Sequence, residues 1–366
     1  MHLLITSDTV GGVWTYTQEL VTGLVQGGHQ VTLLSFGRLP LPHETSWMEN
    51  LPGVDYRPTE YRLEWMEVSE GDIEESRNYL TLVAEEVKPD LLHLSQYCYG
   101  DLALALPKIV VAHSDVVSWW VAVHGKEPED TPWIRRYRER VMSGLRGADI
   151  VVAPSRWMLD ALAEHYLRPQ QNQVIHNART PANFDPTRQK QDFILCVGRL
   201  WDAAKQVALL YRRDLPWPVR IVGWQQEPGK PDKNTLPSDR RNLHLLPPQS
   251  QSELRELYAQ ASIYVAPSRY EPFGLSPLEA ALSRCTLVMN DNPVFHELWG
   301  DSALYFNKDD ADDLCCLLYE LSRDRAMREE YAAKAYTRAR QAFTATHMVE
   351  QYETIYQATL LPAGVE

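Results

Sequence analysis

The sequence predicts an α/β protein made of two doubly wound, parallel-sheet units. Three observations carry that reading. Short apolar runs alternate with helical periods in the order β-α-β-α along most of the chain, the arrangement that builds a parallel sheet covered by helices. A length of 366 residues suits about two domains of ordinary size. Between the two series lies a polar stretch, Leu167 to Asp192, that carries Pro169, Pro181 and Pro186 and is rich in Gln and Asn, the composition of a boundary.

The first unit is expected over residues 1–170. It opens with the apolar run Leu3 to Ile5, which ends at Ser7-Asp8 and is followed by Gly11-Gly12. A helical period then runs through Leu20, Leu24 and Val25 and stops at Gly27-Gly28 before the strand Val31 to Leu34. This is a βαβ unit with glycines where a backbone can approach a ligand. It lacks the G-x-G-x-x-G spacing of a dinucleotide fingerprint. Leu39 to Tyr61, rich in Pro and aromatics, reads as irregular. A helix over 71–87, a strand Leu91 to Leu94 and a strand Ile109 to His113 follow; the last delivers His113-Ser114-Asp115 to the carboxyl edge. Next comes a helix with Ile134, Tyr137, Val141 and Leu145 on one face and Arg135, Arg136, Arg138 and Arg140 around the rest, then a strand Ile150 to Ala153 and a helix over 155–165. Residues 171–192 are read as the linker and 193–343 as a second unit, followed by a terminal helix over 344–366. No internal repeat, low-complexity tract or coiled coil is present.

Composition narrows the class. With 23% charged and 44% hydrophobic residues this is an ordinary globular protein. A formal net charge of −13 argues against a nucleic-acid or other general polyanion partner, although a local basic pocket remains compatible with it. Five cysteines, Cys98, Cys196, Cys285, Cys315 and Cys316, are odd in number and show no C-x-x-C spacing, which suggests reduced thiols. The amino terminus has too short an apolar run for a signal peptide, and no run reaches the 18 or so apolar residues of a membrane span. The expected compartment is the cytoplasm.

One stretch concentrates the chemistry. After the apolar run Ile263 to Pro267 comes Arg269-Tyr270-Glu271-Pro272-Phe273-Gly274-Leu275-Ser276-Pro277-Leu278-Glu279, two carboxylates eight positions apart across a glycine turn and a helix start. Such a strand-to-helix turn lies at the carboxyl edge of an open parallel sheet, where ligands bind. The first amides of the helix, at Gly274, Leu275 and Ser276, suit a phosphate group. Ser276-Pro277-Leu278-Glu279 is also a sound capping box, and on local grounds a cap alone accounts for Glu279. Glu271, between an apolar strand and Pro-Phe-Gly, needs a partner, because a carboxylate buried unpaired is costly.

This segment resembles the E-x7-E signature of the retaining glycosyltransferases of family 4. The resemblance covers nearly the whole chain and is strongest between residues 193 and 310. Val197-Gly198-Arg199-Leu200 with Lys205 is similar to that family's donor-phosphate pair, Asp8 to Gly12 to its amino-terminal glycine loop, and Asn290 to Gly300 to the segment after the signature helix. What the resemblance implies is the GT-B fold, two Rossmann-like domains facing across a cleft, with the terminal helix crossing back onto the first. It also implies transfer of a sugar, with retention, from a nucleoside diphosphate sugar to a hydroxyl acceptor (a glycan, a lipid or a small molecule), without a metal or other cofactor. By the same resemblance Arg199, Lys205 and the amides at Gly274, Leu275 and Ser276 hold the diphosphate, and Glu279 holds the ribose. Glu271 holds the donor sugar's hydroxyls, His113 stands at the reaction centre, and Gly11 and Gly12 close on the donor. As read from the residues alone, Arg199 and Lys205 follow the strand Ile194 to Val197 and flank a loop into a helix, where two cations would neutralise a diphosphate, while a solvated pair beside Asp202 is the plainer alternative.

Other features fit two readings. Trp14, Tyr16, Tyr97, Trp119 and Trp120 suit stacking on a sugar or aromatic acceptor, or interdomain packing. The arginines of 135–140 could rest on an anionic membrane, but core spacing of the apolar face, the acidic net charge and Glu139 favour a solvated face. Lys308 to Asp313 contains D-x-D, which immediately before an amphipathic helix is accounted for by capping; no histidine pair has metal-ligand spacing. Two departures from the family pattern are Pro247-Pro248, where a glycine is usual near the nucleobase, and Trp224 after Ile221-Val222-Gly223, where a small or acidic residue is usual. A phosphorylase or nucleotide-sugar epimerase on the same fold, or a binding protein without turnover, are the alternatives.

Overall fold

Short, mostly apolar runs buried on both faces form the central strands of two parallel sheets. The structure, a computed structural model, describes residues 1–226 and 242–361. The chain divides into two compact units, Met1–Ala178 with Ala345–Glu366, and Arg179–Thr344.

In the first unit the chain runs β1 (His2–Asp8), α1 (Gly12–Gln26), β2 (Gln30–Phe36), α2 (Pro42–Thr45), β3 (Val54–Pro58), α3 (Glu70–Val87), β4 (Leu91–Leu94), β5 (Lys108–Val111), α4 (Val116–His124), α5 (Pro132–Gly147), β6 (Ile150–Ala153), α6 (Arg156–His165) and β7 (Asn172–Val174). The sheet order is β3-β2-β1-β4-β5-β6-β7, all parallel. Order reverses between β1 and β4, which makes their carboxyl ends the switch point of this sheet. The second unit runs β8 (Gln191–Val197), β9 (Val219–Val222), β10 (Leu243–Leu246), α7 (Gln251–Gln260), β11 (Ala261–Ala266), α8 (Leu275–Leu282), β12 (Thr286–Asn290), α9 (Pro293–Trp299), β13 (Leu304–Phe306), α10 (Ala311–Arg323) and α11 (Arg325–Ala342). Its order is β10-β9-β8-β11-β12-β13, again parallel, with the reversal between β8 and β11.

The last helix, α12 (Ala345–Leu360), belongs to the first unit. It buries Met348, Val349, Tyr352, Ile355 and Tyr356 with Tyr16, Leu20 and Leu24 of α1. Gly23 lets it approach closely: a Cβ there would meet Val349 Cγ2 at 2.5 Å. Residues 362–366, part of the expected terminal helix, lie outside the described residues.

Four sequence expectations need correcting. The stretch read as irregular before Tyr61 holds β3, a partly exposed edge strand whose Asp55, Arg57 and Pro58 hide its period. The stretch read as linker, 171–192, is not all linker. Asn172–Val174 pairs with β6, Ile175 and Ala178 enter the first core, and β8 begins at Gln191. Both polar strands are edge strands that bury few apolar side chains, so neither announces itself. Lys205 does not lead into an α-helix: 3-10 turns at Ala203–Lys205 and Val207–Tyr211 follow β8 instead. Finally, the capping box at Ser276 does not form. Gly274, at φ 92°, takes the N-cap position and α8 starts at Leu275, two residues earlier than Ser-Pro-x-Glu suggests. A residue without Cβ turns the chain at this angle without strain.

The basic helix α5 is capped by the Thr131 hydroxyl, which accepts from the Ile134 amide at 3.2 Å. Its arginines are paired within the unit: Arg135 with Asp130, Arg136 and Arg140 with Glu70, Arg138 with Glu127. The inward face carries Ile134, Tyr137, Val141 and Leu145 as the period demands. Gly144 and Gly147 press against the backbone of 97–101, where a Cβ on Gly144 would sit 1.9 Å from the Tyr97 carbonyl. Among the described residues no helix is long and apolar enough to cross a membrane.

Candidate active site

The carboxyl ends of β8 and β11 sit side by side at the switch point of the second unit, so the loops that leave them are neighbours. The loop after β8 holds Arg199 and Lys205; the loop after β11 holds Glu271. Backbone bonds fix both. Gly198 donates to the Val222 carbonyl at 3.0 Å and Leu200 to the Trp224 carbonyl at 2.8 Å. Gly223, at φ 148°, lets the two loops touch: a Cβ there would lie 1.8 Å from the Gly198 carbonyl. The Arg269 amide donates to the Ala204 carbonyl at 2.8 Å, which ties the Glu271 loop to the Lys205 turn.

Lys205 and Glu271 consequently form an ion pair. The lysine stem passes over Gly198, whose Cβ position would be 3.5 Å from Lys205 Cδ. Both side chains are about one-sixth exposed, at 17% and 16%, and they line a recess with Tyr264, Ser268 and Pro277. Arg199 pairs with the buried Asp202 at 2.8 Å and remains 37% exposed. Asp202 also caps the 3-10 turn, accepting from the Ala204 amide at 2.9 Å. The plain reading of Arg199 as a partner of Asp202 is thus present in the geometry. It does not compete with anion binding, since a guanidinium carries five donors.

Gly274 opens the mouth of α8 beside Glu271, and its Cβ position would lie 3.0 Å from Glu271 Cγ. The amides of Leu275 and Ser276 belong to the first turn, where no helical carbonyl precedes them and the dipole is positive. Glu279, one turn on, forms an ion pair with Arg179, Nε to Oε1 3.0 Å, in which the arginine is 2% and the glutamate 13% exposed. Sequence reading missed Arg179, one hundred positions away in a stretch taken as linker. It also missed the brace under Glu271. There Asn292 donates to the Arg269 carbonyl at 2.9 Å, Asn290 to the Ser268 carbonyl at 3.3 Å, and Arg269 pairs with Asp309 at 3.0 Å. The only signal for that brace was Asn290-Asp291-Asn292 at a strand end. In the D-x-D stretch, Asp310 caps α10, accepting from the amides of Asp312 and Asp313.

In the first unit Gly11, at φ 86°, is the N-cap position of α1 and Gly12 its first residue. His113 follows β5; its Nε2 lies 3.3 Å from the Ser95 hydroxyl and its ring meets Tyr16 edge-on at 4.6 Å. Burial pushes its pKa down and favours the neutral ring. His93, wholly buried on β4, has both nitrogens engaged, Nε2 with the Tyr16 hydroxyl at 3.1 Å and Nδ1 with the Tyr356 hydroxyl at 2.8 Å. Burial, and then the nearby His113, push its pKa down to about 3.

Three of the aromatics expected to stack on an acceptor are core side chains. Trp14 donates to the Glu44 carbonyl at 3.0 Å and packs on Trp47 and Tyr56. Tyr16 is 1% exposed and bonds His93, and Tyr97 donates to the Ser114 carbonyl at 3.1 Å. Each satisfies its polar atom on protein, so packing accounts for it. Trp119, partly buried against Trp120 and His124, keeps part of its surface at the edge. Trp224 stands out the other way, 58% exposed.

Two family models match in tandem: Glycosyltransferase Family 4 over residues 10–182 and Glycosyl transferases group 1 over residues 182–338. The O-antigen chain mannosyltransferase RfbU of Salmonella typhimurium is 28% identical over 167 residues, 44% of this chain and 47% of that protein. The chain thus spans less than half the length of this curated relative. Among solved structures, the sucrose-phosphate synthase of Thermosynechococcus elongatus superposes with a TM-score of 0.77 at 16% identity, covering 98% of each chain. The Anabaena protein HepE in complex with UDP-glucose superposes with a TM-score of 0.74 at 15% identity, covering 98% of this chain and 100% of that one. Paired parallel sheets of this order, with both family models in register on them, settle the assignment: the chain belongs to the family 4 glycosyltransferases of GT-B fold.

Proposed function

We propose that the protein is a retaining transferase that moves a sugar from a nucleoside diphosphate sugar to a hydroxyl-bearing acceptor, without a metal. The observation that supports this best is the Lys205–Glu271 pair at the switch point of the second sheet, beside Arg199 and the glycine-opened mouth of α8. Two cations follow β8 and a helix N-terminus follows β11 at one edge of the sheet, which suits a diphosphate.

In this reading Lys205, Arg199 and the amides of Leu275 and Ser276 take the negative charge that grows on the diphosphate as the anomeric C–O bond breaks. Glu271 accepts hydrogen bonds from donor-sugar hydroxyls, and Glu279 from the ribose. The acceptor oxygen bonds to the anomeric carbon on the face the diphosphate leaves, and its proton passes to the leaving phosphate oxygen. No protein nucleophile is assigned. A cytoplasmic location goes with this chemistry.

The test is release of nucleoside diphosphate from a panel of UDP-, GDP- and ADP-sugars by the purified protein in chelator, with Glu271→Ala alongside. UDP-glucose and GDP-mannose belong in it because HepE is described with UDP-glucose and RfbU as a mannosyltransferase. Slow release from one donor, abolished by the substitution, is the expected result. Release that persists in Glu271→Ala within a factor of a few overturns the site. A free sugar 1-phosphate or an epimerised donor points to the phosphorylase or the epimerase, and neither release nor calorimetric binding of any donor overturns the donor site itself.

A further inference from the structure

Arg179 is an unusual residue to find beneath a sugar-nucleotide site. Its guanidinium is charged at every accessible pH, yet the side chain is 2% exposed. A buried charge persists only with a partner, and here the partner is Glu279, at 3.0 Å. The arginine cannot drift from it. Its amide donates to the Phe343 carbonyl at 3.2 Å, its backbone bridges to Thr344, and its guanidinium carbon lies 5.5 Å over the Phe184 ring. These contacts hold it where the chain first enters the second unit. Side chains on a helix lean toward its N-terminus, so a carboxylate at Glu279 is carried over the first turn of α8, the side from which a ligand arrives. Tyr258, wholly buried, lies close enough to sense it: its phenol pKa is raised well above the ordinary value, first by burial and then by the Glu279 charge.

We propose that Arg179 is the positioning residue for Glu279, holding its carboxylate in the one orientation that accepts from the hydroxyls of the donor's ribose. This rests on the reading of Glu279 given above and adds the element that makes it selective. A carboxylate on a flexible stem would accept from ribose or from water alike. Pinned by a fixed cation, it is set for one hydroxyl geometry, and a nucleotide lacking that hydroxyl leaves the pair desolvated without compensation. Arg179 itself touches no part of the donor.

The experiment measures ribose discrimination by calorimetry, using UDP, GDP and ADP and the 2′-deoxy and 3′-deoxy counterparts of whichever binds. Wild type is expected to favour the ribonucleotide over one deoxy form by about tenfold or more. Glu279→Gln is expected to abolish most of that ratio, Arg179→Met to abolish it to a similar extent, and the double variant to lose no more than either. Arg179→Lys, which keeps the charge and not the fork, should recover part of the ratio. The double variant also serves where Arg179→Met alone does not fold, because it leaves no unpaired buried charge. Discrimination undiminished in Arg179→Met, with Glu279→Gln impaired, overturns the role of Arg179 alone. Discrimination undiminished in Glu279→Gln overturns the assignment of Glu279 to the ribose, and the role of Arg179 falls with it. A merely structural arginine would lower affinity for both sugars equally and leave the ratio intact.

Discussion

Lys205 and His93 show the same constraint from opposite sides: a titratable group taken out of water has to be matched, and the match decides what it can do. Lys205 is paired with Glu271, so a diphosphate taken by Lys205 competes with that carboxylate. Replacing it as Lys205→Met is expected to lower kcat/KM by about a hundredfold or more, the size seen when one transition-state donor is lost; steady-state release of nucleoside diphosphate measures it. His93 is matched by two tyrosine hydroxyls and kept neutral. Its pKa is about 3 in the folded protein against 6.5 for an exposed histidine. Below pH 6.5 the unfolded chain binds a proton that the folded chain refuses. The contribution of His93 to stability is therefore flat above that pH and falls as pH drops toward 3, by up to about 1.4 kcal/mol per pH unit. In His93→Gln that slope should shrink by one proton's worth between pH 6.5 and 5, as read from urea midpoints of the first unit's unfolding. An unchanged slope would mean that His93 is protonated when folded.

Loops between strand and helix are where this protein's chemistry is set, and they are also where its sequence was hardest to read. Gly223 and Gly198 meet backbone to backbone, so Gly223→Ala forces apart the loops that carry Arg199 and Trp224. The variant is expected to lose about 1–3 kcal/mol of stability from strain at φ 148°, together with donor affinity, measured by thermal melting with and without nucleotide. The strands with unbroken apolar runs and the amphipathic α5 were legible because one physical variable, burial, wrote their pattern. β3 and β7 bury too little to leave one. The Glu271 loop was legible from chemistry, since a lone carboxylate after a buried strand demands explanation, but its partner Lys205 came from resemblance and adjacency at the switch point. Ser276 misled for a local reason: Ser-Pro-x-Glu is a good cap, and Gly274 starts the helix first. Arg179 was beyond any local rule, because nothing near Glu279 in sequence says which distant cation will reach it.

On the scale of the whole molecule the two units differ in how the chain completes them. The second is continuous, Arg179–Thr344, while the first takes its last helix from beyond it. Five side chains of α12 are buried against α1 and the first sheet. At about 1.5–3 kcal/mol for each buried apolar side chain, that helix contributes an amount comparable with the net stability of a domain, about 5–15 kcal/mol. A chain ending at Thr344 is accordingly expected to lose the folded first unit, with Tyr16 and Leu20 uncovered, while the second remains. Limited proteolysis of the truncated protein should leave a fragment close to 179–344 and digest the rest.

The placement of α12 also sets an order of events during synthesis. By the time Ala178 leaves the ribosome every strand of the first sheet has been made, yet the groove that will receive Met348, Val349 and Tyr352 stays open until the whole second unit has been translated. At about 5–20 residues per second that wait is roughly ten to thirty seconds. Throughout it the nascent chain carries an uncovered apolar face around Leu20 and Leu24 while the second unit is still being made behind it. Ala345–Leu360 is the segment that finally covers that face.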